Sequence, residues 1–166
     1  MKSIDNINQL NKSDFLSIFG NVFEKTEWIA EKVFELKPFK DFKDLSSKIL
    51  GLYQNCHKEK ISIILNSHPE LAVAKKLTHE SKLEQAGANL NECTVEEFEE
   101  FKKLNLEYKN KFGFPFIIAV KGKNKTEILN NFRQRILNNI ESEFEEAKNQ
   151  VKKIALIRLN QIIEIN

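Results

Sequence analysis

His68 is the residue of this chain best placed to move a proton near neutral pH. It stands directly before Pro69, and a residue before proline is steered away from the α region. The imidazole is therefore expected at a helix entrance rather than on a regular helical face. A side chain that changes charge near pH ~6.5 can donate or accept a proton. The same position also suits a polar residue making a local hydrogen bond. His57 lies in a Lys- and Glu-rich stretch and His79 in a polar loop, and both read as surface residues.

Ser81, Glu84 and Gln85 bring a hydroxyl, a carboxylate and an amide together within five residues, enough to grip a polar ring. The Ala86-Gly87-Ala88 run beside them lets another surface come close. Ser81-x-x-Glu84 also has capping-box spacing, which would commit Glu84 to the Ser81 backbone N–H. Gln85 has no such local role. Arg158 falls on one helical face with Ala147, Val151, Ala155 and Ile162. A guanidinium cannot shed its charge and needs a partner when buried. The side chain either snorkels its head out to water, pairs with a core carboxylate, or clamps a substrate carboxylate or imide bidentately. The run Phe114-Pro115-Phe116-Ile117-Ile118-Ala119-Val120 is strongly apolar and extended in character. With no second strand to pair with, its backbone groups must find other partners, and a bound small molecule is one candidate. The alternative is a buried plug that fills the core.

These residues must be positioned by helices. Only five Gly and three Pro occur in 166 residues, too few for the turns of a β-sandwich. The expectation is a single-domain α-helical bundle over 1–166 with one extended apolar connection near 114–120. Ser13 is expected to cap a helix ending at Gly20, Thr26 a second, and a longer helix to run over 42–56 and continue toward 66. The Ser67-His68-Pro69-Glu70 break precedes a short helix through about Lys76. Thr94-Val95-Glu96-Glu97 is a capping box opening a helix whose Phe98, Phe101, Leu104, Asn105, Tyr108 and Phe112 share one face, with Gly113 ending it. Thr126 is expected to cap the C-terminal helical region, bent near Asn138-Asn139.

Composition narrows the function classes. The net charge of +2 is too small for a nucleic-acid surface. No run approaches the roughly 20 apolar residues of a membrane helix. Cys56 and Cys93 match no zinc or redox spacing, and glycine-rich phosphate loops, G-x-S-x-G elbows and paired-histidine metal motifs are absent. Any chemistry is expected to run on His, Glu, Arg and backbone groups, without a metal or other cofactor. The polar Met1-Lys2-Ser3-Ile4-Asp5-Asn6 start and the Glu164-Ile165-Asn166 end carry no recognised address, so the expected compartment is the cytoplasm.

Taken in order, these segments resemble the 2-oxo-4-hydroxy-4-carboxy-5-ureidoimidazoline (OHCU) decarboxylases of urate breakdown. The matching pieces are Phe19-Gly20-Asn21-Val22-Phe23-Glu24, His68-Pro69-Glu70-Leu71-Ala72, Ser81-Lys82-Leu83-Glu84-Gln85-Ala86-Gly87, Leu104-Asn105-Leu106-Glu107-Tyr108, Lys111-Phe112-Gly113-Phe114-Pro115-Phe116, Arg133-Gln134-Arg135-Ile136-Leu137-Asn138 and Lys153-Ile154-Ala155-Leu156-Ile157-Arg158-Leu159. The family usually continues His-Pro-Asp-Leu-Ala-Gly; here Glu70 and Val73 depart from it, and the stretch 73–80 is shorter than in many members.

The resemblance implies an all-α, cofactor-free and typically homodimeric enzyme acting on a small molecule, with neither nucleic acid nor membrane as partner. It makes His68 the catalytic proton donor and Pro69 part of the pocket wall. Ser81, Glu84 and Gln85 become substrate-binding residues, Glu84 also orienting the substrate and His68. The backbone of Phe116, Ile117, Ile118, Ala119 and Val120 would line the pocket, amides near Ile118-Ala119 would donate to ring oxygens, and Arg158 would hold the anionic side. The competing readings are a decarboxylase or hydrolase of a related ureido ring compound, and a non-enzymatic helical interaction module.

Overall fold

A computed structural model describes residues 3–72 and 79–165, and every regular element among them is helical. Contacts group the chain into two compact units: Met1–Ser67 with Lys152–Asn166, and His68–Val151.

The first unit holds helices α1 (Ile4–Gln9), α2 (Lys12–Phe19), α3 (Glu27–Phe34), α4 (Phe42–Gln54) and α5 (Lys58–Ser67). Asn11, not Ser13, caps α2: its side chain accepts from the Asp14 N–H at 2.9 Å, which leaves Ser13 inside the helix. Thr26 stands at the start of α3, but its hydroxyl donates to the Glu24 carbonyl at 2.8 Å instead of capping. Asp41 caps α4. The helix expected over 42–56 stops at Gln54, and α5 is a separate element. Phe15 anchors the core of this unit, with Phe19 at 4.7 Å and Phe39 at 6.0 Å between ring centroids, while Phe23 stacks on Tyr53 at 4.7 Å. The side-chain amide of Asn8 pairs with both backbone groups of Phe39, each at 2.8 Å.

The second unit holds α6 (His79–Gly87), a short 3-10 turn (Leu90–Glu92), α7 (Val95–Phe112) and α8 (Lys125–Arg135). The last helix, α9 (Ile140–Ile165), contributes residues to both units. The Thr94 capping box forms as expected, with reciprocal bonds of 3.2 and 2.9 Å to Glu97. An unforeseen second box, Asn124 with Glu127, starts α8 and puts Thr126 inside the helix. The expected bend near 138–139 is the break between α8 and α9. Further readings change in this unit. α6 already contains His79 and Glu80, so Ser81 lies within the helix and is not its cap. Phe98 is 38% exposed and lies off the buried stripe of α7, which is made by Phe101, Leu104, Asn105, Tyr108 and Phe112. Residues 69–72 are not helical, and Val73 and Lys76 lie outside the described residues.

Gly113 ends α7 at φ +80°, a left-handed conformation that costs glycine little. The chain then enters 114–120, which forms no regular element and is buried throughout. Phe116 lies flat on Phe132 of α8 at 3.9 Å and 10°, and Tyr108 stands edge-on to both rings. The apolar run is thus anchored between α7 and α8. Phe132→Ala is expected to destabilise the protein by about 3–5 kcal/mol in urea unfolding, the usual range for a buried Phe removed from a tight core. A loss below about 1 kcal/mol would show that the segment is not seated on this stack.

Candidate active site

Of the three histidines, His57 and His79 are exposed and His68 is buried, at 8%. Its Nε2 is fully enclosed. The loop it opens is tied down by two amides. Gln85 of α6 accepts from the Ala72 N–H at 3.1 Å and donates to the Glu70 carbonyl at 3.3 Å. Asn105 of α7 donates to the Leu71 carbonyl at 3.0 Å. Lys109, one turn further along α7, pairs with Glu70 at 3.6 Å. Ala72 takes a left-handed φ of +51°, which few non-glycine residues adopt without support. Gln85 therefore has a use the sequence did not suggest: it splints the His68-Pro69 loop with both ends of its amide. That bond also brings α6, with Ser81 buried at 2% and Glu84 half-buried, against the same loop. Asn105 was legible only as a polar member of an apolar stripe.

The segment 114–120 divides its backbone between two edges. In an extended chain, successive residues turn their N–H and C=O groups to opposite sides. Ile117 and Ala119 share one side, and both are bound by protein. Arg135 Nη1 donates to the Ile117 carbonyl at 2.8 Å, and the Ala119 N–H donates to Gln150 Oε1 at 2.9 Å. Of the amides near Ile118-Ala119 expected to serve ring oxygens, that of Ala119 is held by Gln150 in this structure. Ile118 and Val120 share the other side, and no described residue accepts a hydrogen bond from either N–H. These amides are buried with their residues.

The bound edge rests on a buried charge cluster. Glu143, fully enclosed, accepts from Arg135 Nε at 2.9 Å, Arg135 Nη2 at 2.6 Å, Asn138 Nδ2 at 2.8 Å and the Tyr108 hydroxyl. The Arg135 guanidinium also lies over the Phe116 ring at 4.4 Å. Burial, with the Glu143 carboxylate beside it, pushes the Tyr108 hydroxyl far above its ordinary pKa near 10.

Arg158, 3% exposed, belongs to the first unit. Its Nη2 meets the fully buried Glu24 carboxylate at 3.0 Å and its Nη1 the Asn21 carbonyl at 3.0 Å. Of the two partners anticipated for it, the core carboxylate is present. Among the described residues no group of three His, Cys, Asp or Glu side chains could hold a metal ion, and no helix is long and apolar enough to cross a membrane.

The helices thus hold one buried histidine on a splinted loop and, separately, an apolar segment paired along one edge. The family model described as OHCU decarboxylase matches residues 8–160, and the chain belongs to that family. It is 36% identical over 162 residues to the uric acid degradation bifunctional protein of Bacillus sp. strain TB-90, covering 98% of this chain and 32% of that protein. The chain thus spans about a third of the length of the first curated relatives it matches. It is 33% identical over 160 residues to the 2-oxo-4-hydroxy-4-carboxy-5-ureidoimidazoline decarboxylase of Halalkalicoccus jeotgali, covering 96% of this chain and 91% of that one. The fold is shared with a crystal structure of (S)-allantoin synthase (TM-score 0.77, 24% identity, 96% of this chain and 54% of that one). It is also shared with a crystal structure of OHCU decarboxylase in the presence of (S)-allantoin (TM-score 0.70, 18% identity, 93% and 99%).

The Tyr108 shift sets a pH dependence. The folded protein holds the Tyr108 proton more tightly than the unfolded chain, so its contribution to stability is complete below pH about 10 and is lost as pH rises beyond that. Tyr108→Phe is expected to flatten the alkaline decline of urea-unfolding stability between pH about 9 and 11. An unchanged slope would show that Tyr108 is not held in its protonated form.

Proposed function

We propose that this chain decarboxylates OHCU to (S)-allantoin, with residues 1–166 acting as one catalytic domain. Family membership supports the substrate class. The observation that carries the reading to this chain is the burial of His68, the one enclosed histidine, on a loop fixed by Gln85 and Asn105.

The substrate has a ring carbon bearing both a carboxylate and a hydroxyl. Its bond to the carboxylate breaks, CO₂ leaves, and the electron pair passes into the ring system. The hydroxyl becomes a carbonyl, and the reaction takes up one proton net. The ring is its own electron sink, so the protein has three tasks: to orient the carboxylate, to stabilise the charge that develops, and to deliver a proton to one face. His68 hydrogen-bonds the hydroxyl or carboxylate and supplies that proton, which sets a single hand in the product. Glu84 orients the substrate and His68. Pro69 forms wall, Ser81 and Gln85 contact the ring's polar groups, and the Gln85 contact is made beside its splint to the loop. Phe116, Ile117 and Ala119 line the pocket, while the Ile118 and Val120 amides donate to ring or ureido oxygens. Arg158, oriented by Glu24, holds the substrate's anionic side. The same reading takes the protein as a cytoplasmic homodimer.

Circular dichroism of allantoin formation tests the proposal, with substrate generated in place from urate by an oxidase and a hydrolase. The wild type is expected to raise the (S)-allantoin signal faster than spontaneous decay. His68→Asn is expected to bind substrate but lose about 10²-fold or more in turnover, the usual scale for a positioned proton donor. Arg158→Gln, read per folded molecule, is expected mainly to raise KM. Wild-type turnover in His68→Asn, or an unchanged KM in Arg158→Gln, would remove the respective assignment.

A further inference from the structure

Two side chains grip the bound edge of 114–120, and each is itself held by a carboxylate of α9. Arg135 reaches the Ile117 carbonyl at 2.8 Å while its Nε and Nη2 are fixed by Glu143 at 2.9 and 2.6 Å. Gln150 presents Oε1 to the Ala119 N–H at 2.9 Å while its Nε2 is fixed by Glu146 at 2.7 Å. The second contact settles which end of the Gln150 amide faces the segment, because a carboxylate accepts only from the NH₂ end. Glu143 and Glu146 lie three residues apart on α9, on one helical face. Arg135 and Gln150 are 7% and 8% exposed, so both contacts are made away from competing water.

We propose that Arg135 and Gln150 are positioning residues for substrate binding. By occupying the Ile117 carbonyl and the Ala119 N–H they fix the rotation of the segment about its own axis. That rotation leaves the Ile118 and Val120 amides as the donors for the substrate's ring oxygens. A one-residue slip of the segment would exchange the two edges and turn the Ile117 and Ala119 groups to the substrate instead. Desolvating Glu143 is costly unless its acceptor sites are used; four donor groups fill them, two from Arg135 itself and one each from Tyr108 and Asn138, which fix the carboxylate that holds Arg135. The inference rests on the proposed decarboxylation and adds to it the residues that decide which amides bind.

Arg135→Lys separates positioning from mere stability. A lysine keeps a cation beside Glu143 but cannot also reach the Ile117 carbonyl. The matched control is Arg133→Lys on the same helix, which alters an exposed bidentate pair with Glu100 at 2.7 and 2.8 Å. In the allantoin assay, corrected for folded fraction, Arg135→Lys is expected to raise KM about five- to tenfold, the worth of one hydrogen bond. kcat is expected to stay within about twofold, with the pH profile unmoved. Gln150→Met, which fills the same space without an acceptor for Ala119, is expected to do the same and keeps the test alive if Arg135→Lys fails to fold. Arg133→Lys is expected to leave KM unchanged. A KM in both Arg135→Lys and Gln150→Met equal to that of Arg133→Lys would overturn the proposal, as would a fall in kcat at constant KM. Wild-type activity is read first in the same assay, so its absence would refute the decarboxylase reading itself.

Discussion

Glu143 accepts hydrogen bonds from Tyr108, Arg135 and Asn138, and it does so with no exposure to solvent. Burying a carboxylate without partners costs several kcal/mol, and here both of its oxygens are bonded. The donors come from α7, from the end of α8 and from the connection to α9, while Glu143 belongs to α9 itself. One buried charge therefore fixes where three helices and a linker meet. The segment 114–120 has no sheet to join, and it takes its place from that junction through Arg135 and the Phe116–Phe132 stack.

The helix α7 carries the consequence to the histidine loop. Asn105 and Tyr108 lie three residues apart on its buried face. Asn105 holds the Leu71 carbonyl in the loop after His68, and Tyr108 packs edge-on against Phe116. The loop after His68 and the segment 114–120 are thus both tied to one helix. For a reaction that needs little more than orientation and one directed proton, such rigidity is the useful contribution of a protein, since misplacement by an ångström costs orders of magnitude in rate. Ala72 in its left-handed conformation marks how firmly the loop is held.

Much of this was legible in the sequence because it depends on local physics. The Thr94 box, the Gly113 stop and the buried 114–120 run all follow from residues within a few positions of one another, whereas His68, expected at a helix entrance, instead follows the last residue of α5, because residues 69–72 stay non-helical. Errors arose where two local signals competed. Asn11 and Asn124 cap in place of the nearby Ser13 and Thr126, each asparagine lying two residues before the hydroxyl residue that the pattern suggests. Ser81-x-x-Glu84 has the letters of a capping box, yet the helix already contains His79. What was not legible required partners remote in sequence. Glu24 meets Arg158 across 134 residues, Gln85 splints a loop 13 residues away, and Gln150 takes the Ala119 amide across 31. An apolar stripe announces that Arg158 needs a partner, but it carries no information about which carboxylate arrives.

The most direct measurement is a crystal structure of this protein with (S)-allantoin, read at the amides of 118–120. Ligand oxygens are expected within hydrogen-bonding distance of the Ile118 or Val120 nitrogen, with Ala119 still donating to Gln150 and Ile117 still bound to Arg135. A ligand bonded to the Ala119 amide with Gln150 displaced, or seated away from this edge altogether, would contradict it.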